Sequence, residues 1–268
     1  MTMSPKISVV IPAWHEHAAL GRLLTILRSA GPGIEVIVAW AEPDAAARRM
    51  VLEMGARWVE AGEPNRGRQL DLGAEMATGE WLLFQHADTA VTSAHLAALA
   101  ALDDPAIVGG AFYRKFDERH PRLRCFEKVE RWHNRTFGAL YGDQSIFVRR
   151  EIFAALGGFR DLPLMEDVDF SLRMRRHGRL RLLDPPLASS PRKHLARGPW
   201  RTTFANAGLL FLYHLGVPPR RLHAFYYRRG AASSGAPRED SEGLAEAAVE
   251  ASTGLFSEAY ARPVVPDE

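Results

Sequence analysis

The first 85 residues alternate between apolar runs and helical spacing, and this limits the fold more than any other property of the chain. "KISVVIPAW" is a buried-strand pattern, "EHAALGRLLTILRSAG" has helical spacing with glycine at its end, and "IEVIVAW" is a second strand. Asp44 can cap the helix "AAARRMVLEMG", and "RWVEAG" reads as a third short strand. "NRGRQLDLGAEMATG" reads as a helix closed by Gly79, leading into the strand "EWLLF". Strands alternating with helices of about a dozen residues predict βαβ units around a mostly parallel sheet. In such sheets ligands bind beyond the carboxyl ends of the strands. "AWHE" and "HADTA" occupy that position.

Downstream, "IVGGAFYRKF" predicts a strand and "PRLRCFEKVERWHNRTF" an amphipathic helix opened by Pro121. "GDQSIFVRREIFAALGGF" predicts a strand, a short helix and a glycine turn; "LMEDVDFSLRMRRHGRLRLL" predicts acids at a helix start, a basic helix and a strand. Residues 1–198 are read as one α/β domain, 199–230 as apolar and amphipathic helices, and 231–268 as an acidic, disordered tail. The tail has eight acids against Arg238 and Arg262, so a net charge of +2 conceals about −6 there and +8 on the body. A basic body favours polyanionic partners such as nucleotide phosphates or anionic lipid. A single cysteine excludes an internal disulfide framework, and the short apolar start lacks a signal-peptide core, so a cytoplasmic protein is expected.

Four groups of residues carry candidate chemistry. His86-Ala87-Asp88 could hold Mg²⁺ or Mn²⁺ through Asp88, with His86 as ligand, water orienter or phosphate contact. Taken alone, the tripeptide is more commonly a strand end whose Asp caps the helix at 93–102. Glu166 and Asp167 begin a helix, where one can serve as a general base, or both can simply favour the helix dipole. Arg66 and Arg68 stand at a loop-to-helix junction suited to a diphosphate, or form a solvated basic turn. His194 is a further candidate metal or phosphate contact, or an exposed loop histidine.

Together these blocks resemble a family 2 glycosyltransferase of the GT-A type. The matching stretches are "VVIPAWHE", "NRGRQLDLGAEMATGEWLLFQHADT" and "GDQSIFVRREIFAALGGFRDLPLMEDVDFSLRMRRHGR". The nearest resemblance is to small transferases bearing "HADT" and "PLMEDV". It implies a Rossmann-like sheet flanked by helices, with a C-terminal helical extension. It also implies a nucleotide-sugar donor, a hydroxyl acceptor, a Mn²⁺ or Mg²⁺ ion on the diphosphate, and inverting displacement. Carried over to this chain, Pro12, Ala13 and Glu16 fall on the nucleoside loop, and Arg66 and Arg68 near base and diphosphate. Asp88 falls on the last acid of the metal motif and His86 on its first. Asp167 falls on the base, with Glu166 beside it, and Gly142, Asp143 and Gln144 line the acceptor side.

One departure bears on the donor. Where relatives carry an acid-glycine-serine loop after the second strand, this chain reads "VAWAEPD". Either Trp40 stacks on the base, or Glu42 takes over the nucleoside contact, or the domain has lost turnover and acts as a binding or scaffold protein. A nucleotidyltransferase ranks last, since "PAWHEHAAL" lacks a glycine-rich phosphate loop. Residues 199–229 mix apolar and basic character and are read either as a peripheral contact with the inner face of an anionic membrane or as a packing or homodimer surface. No base-reading module is visible, so nucleic acid is not expected.

Overall fold

The computed structural model describes residues 6–31, 33–89, 91–116, 120–189 and scattered positions between 208 and 222. The elements are β1 (Ile7–Ala13), α1 (His17–Arg28), β2 (Ile34–Ala41), α2 (Ala45–Glu53), β3 (Arg57–Gly62), α3 (Arg66–Glu75) and β4 (Trp81–Phe84). There follow α4 (Ser93–Ala100), β5 (Ile107–Phe116), α5 (Pro121–Phe137), a 3-10 turn (Gly142–Gln144), β6 (Phe147–Arg149), α6 (Arg150–Leu156), α7 (Glu166–Met174) and β7 (Arg179–Ser189). The chain divides into two units, residues 1–161 with 166–190 and residues 162–165 with 191–268; every strand belongs to the first. His194, most of the helices read in 199–230 and the whole acidic tail lie outside the described residues. No helix among the described residues is long and apolar enough to cross a membrane.

The seven strands form one sheet in the order β3-β2-β1-β4-β6-β5-β7. β1 pairs in parallel with β2 and β4, β2 with β3, and β5 with β7. Only β6 runs against its neighbours, β4 and β5. Its leading turn therefore meets the edge where β1, β2 and β4 end.

Continuous apolar strands suit this sheet because helices cover both faces. All of β1 is buried, and its alternate side chains serve opposite layers. Val9 and Ile11 join Leu20, Leu23, Leu24 and Leu27 of α1, whereas Val10 joins Leu70 and Ala74 of α3. At roughly 1.5–3 kcal/mol per buried aliphatic side chain, this layering sets the position of the strand ends.

Asp44 caps α2 as expected, its side chain accepting from Ala47 N at 2.8 Å. Two local expectations are corrected. α3 ends at Glu75 with Met76 as its C-cap, and Gly79 serves close packing instead: a Cβ there would stand 2.7 Å from the backbone N of Ser8. Asp88 caps no helix, because the N-cap position of α4 is Thr92, whose N–H donates to His95 Nδ1 at 3.1 Å.

Candidate active site

The loops at the carboxyl edge of the sheet are shaped by two buried glutamines. Gln69, on α3, donates from Nε2 to Ala13 O at 3.0 Å and to Ala39 O at 2.8 Å, tying the ends of β1 and β2 together. Gln85, just past β4, donates to His86 O and Thr89 O and accepts from the Ser145 hydroxyl at 2.7 Å. Ser145 is left-handed (φ 52°), as are His15 (55°) and Glu42 (65°) at the ends of β1 and β2. Left-handed backbone is strained for residues with a Cβ, and such strain gathers at functional sites.

A cleft opens between these loops and the start of α7. Its lining includes Pro12, Arg66, His86, Gly142, Glu166 and Asp167, together with Phe84, Gln85 and Phe159. The Asp167 carboxylate accepts from Gly142 N at 2.7 Å and from Val168 N at 2.7 Å. Burial, reinforced by the neighbouring Glu166 charge, pushes its pKa up to about 7. Arg66, first residue of α3, reaches Glu166 at 3.4 Å. The His86 ring packs against Gly142 so closely that a Cβ on Gly142 would lie 2.7 Å from Nε2 and 3.5 Å from Asp167 Oδ2. Burial and the Arg66 charge push His86 down to about 4, so it is a neutral imidazole near pH 7.

Other expected site residues lie elsewhere. Ala13 ends β1, Glu16 is the exposed N-cap position of α1, and Arg68 is exposed with its backbone N–H held by the Asn65 side chain. Trp40 is corrected from a base-stacking face to a core residue: it is 1% exposed and stacks on Trp58 with ring centroids 5.7 Å apart. Glu42 is exposed and paired with His15 at 3.5 Å. Gln144 is corrected from the acceptor side to a structural role, because it is fully buried and its amide binds Asn134 and Tyr141 N. Asp143 pairs with Arg114, which Glu130 also holds. Burial opposes the Arg114 charge, but these two carboxylates outweigh it and keep the guanidinium protonated.

Trp14 was not among the site residues expected from the sequence. It follows β1, is 45% exposed, and lies 4.8 Å from the His15 ring. An exposed tryptophan beside a left-handed loop residue is visible only once the end of β1 is placed.

As for a metal, no group of three or more His, Cys, Asp or Glu side chains able to hold an ion occurs among the described residues. Asp88 is exposed, with only a 3.5 Å contact from the Thr89 hydroxyl, and His86 is neutral and without a ring hydrogen bond among the described residues. One carboxylate and one imidazole fit a cation that takes its remaining ligands from a substrate diphosphate and water.

A profile of glycosyl transferase family 2 matches residues 8–157, more than half of the chain. The chain belongs to glycosyl transferase family 2. The match covers β1 to α6 and stops short of Glu166 and Asp167. Among solved structures, the mannosyltransferase PcManGT from Pyrobaculum calidifontis, in complex with GDP-Man and Mn²⁺, is 18% identical, with a TM-score of 0.60. That match covers 96% of this chain and 83% of the mannosyltransferase. TarS 1–349 from S. aureus is also 18% identical, with a TM-score of 0.53 over 69% of this chain; the match spans only 61% of the TarS chain. These likenesses support the GT-A fold, a Rossmann-like mixed sheet flanked by helices. No curated protein matches the chain.

Proposed function

We propose that this family 2 member is an inverting glycosyltransferase that moves a sugar from a nucleotide diphosphate onto a hydroxyl acceptor, with Asp167 as general base. The observation that carries this reading is the Asp167 carboxylate, buried in the cleft beside His86 and oriented by two backbone N–H groups. A carboxylate with a pKa near 7 can accept a hydroxyl proton as the oxygen attacks the anomeric carbon. Glu166 keeps Arg66 at the mouth of α3, where the guanidinium and the helix N-terminus favour the diphosphate. Arg68, exposed on the same first turn, adds positive charge on the leaving-group side. Asp88, with His86 as second candidate, would hold Mn²⁺ or Mg²⁺, which when bound neutralises charge on the departing diphosphate.

Trp14 takes over the stacking role that buried Trp40 cannot fill, and Glu42 with His15 offers polar groups to the nucleoside next to Pro12 and Ala13. Asp143 borders the acceptor side through Gly142. GDP-mannose and UDP-sugars are the first donors to try, since structures resembling this chain are described in complex with GDP-Man and with UDP. Turnover of one such donor with Mn²⁺, lost in Asp167→Asn but with donor binding retained, is the expected result. Full activity in Asp167→Asn, or no binding of any donor, would overturn the assignment. The altered Ala39-Trp40-Ala41-Glu42 stretch favours one second reading, a binding or scaffold domain that has lost turnover; it predicts an intact fold with no nucleotide or metal binding in calorimetry.

A further inference from the structure

α5 keeps its acids on the inside. Glu130 holds Arg114, and Glu127 accepts from Phe116 N and from Arg124. These are the only acids of the helix, so its outer surface carries none. At about 100° per residue, Cys125, Val129 and Trp132 fall in one narrow outward sector. Val129 is 55% and Trp132 60% exposed, and they are two of the four exposed large hydrophobic residues among those described. The same geometry sets Lys128, Arg131 and Arg135 in a row along one flank of this ridge, and all three are exposed. None has a carboxylate partner among the described residues. Tyr113 fixes two of them: Arg131 lies 4.0 Å from its ring centre, and Arg135 donates to its hydroxyl at 2.7 Å.

We infer that this face of α5 docks on the surface of an anionic lipid bilayer. An apolar ridge containing tryptophan, flanked by cations and free of acids, matches a layer of lipid phosphates above acyl chains. Val129 and Trp132 enter the headgroup region while Lys128, Arg131 and Arg135 meet the phosphates. Helix polarity and charge thus select the same partner. The inference does not depend on the proposed reaction.

Cys125 stands on this ridge, is exposed, and is the sole cysteine of the chain. The full chain labelled there with an environment-sensitive fluorophore is mixed with phosphatidylcholine vesicles, with and without phosphatidylglycerol. The expected result is co-flotation with the anionic vesicles only, weakened by salt, with a blue shift of the label. Unlabelled Val129→Ser/Trp132→Ser and Lys128→Glu variants are each expected to bind about tenfold more weakly, with thermal unfolding unchanged. No flotation, equal binding to neutral vesicles, flotation without a blue shift, or undiminished binding of the variants would overturn the inference. So would a dimer in sedimentation velocity that dissociates in the Trp132 variant, since the face would then be covered by a second copy.

Discussion

Asp167 joins two demands that usually oppose each other. Its burial raises the pKa to about 7, and two backbone N–H groups still fix the carboxylate in place. Because a base must be ionised, transfer at fixed metal and saturating donor should fall about tenfold per unit below pH 7 and level off above it. A pH–rate profile measures this limb directly, and a flat profile from pH 5 to 8 would remove Asp167 from the role of base. Gly142 provides a second test. Alanine there would place a Cβ 2.7 Å from His86 Nε2, so the ring or the turn must shift beside Asp167. Transfer should drop about ten- to a hundredfold, with the melting temperature nearly unchanged. The pairing of His86 with Gly142 could not be read from the chain, since 56 positions separate them and only the reversal of β6 brings them together. Trp40 was misread for a related reason: its place at the end of β2 looked exposed, yet it stays in register with Ala13 and turns inward onto Trp58.

α3 links the strand ends to the proposed diphosphate side. Its first turn offers Arg66 and Arg68, and one turn on, Gln69 bridges the Ala13 carbonyl at the end of β1 and the Ala39 carbonyl near the end of β2. Gln69→Ala leaves two buried acceptors without that donor and should cost about 1–3 kcal/mol in urea unfolding. Nucleotide diphosphate affinity should fall as well, because the strand ends carrying Pro12, Ala13 and Glu42 lose their tie. Unaltered affinity with the expected instability would make Gln69 a purely structural residue. No motif announces such a glutamine; its pattern is that of any helical position, and its two partners are 56 and 30 residues away. Periodicity did reveal β1 to β5, the helices between them and the acidic start of α7, because strongly patterned elements depend on local spacing. The alternation predicted a mostly parallel sheet but did not single out β6, so its antiparallel setting came from the structure alone.

For the molecule as a whole, pH acts through carboxyls and imidazoles that shift in opposite senses. Asp71 is raised to about 6 and Asp167 to about 7, mainly by burial, so both bind protons more tightly when folded and reduce stability as pH rises from about 4 to those values, with little further change above them. His86, lowered to about 4, acts the other way, adding stability as pH rises from 4 towards 6.5. Without metal, stability should therefore decline between pH 5 and 7, where the two carboxyls together outweigh the opposing His86, and Asp167→Asn should flatten that decline by about 1–3 kcal/mol. Thermal melts at the two pH values check it; equal slopes for both proteins would show that Asp167 ionises without penalty. The reversed β6 has one more consequence. Since it delivers its leading turn to the edge where β1, β2 and β4 end, the opposite edge is left with connections remote from the cleft, such as the turn around Gly55 and the loop 102–106. Those are the places to splice in a reporter peptide or cut the chain for circular permutation, whereas the same operation at 141–146 would split the edge that bears the candidate site.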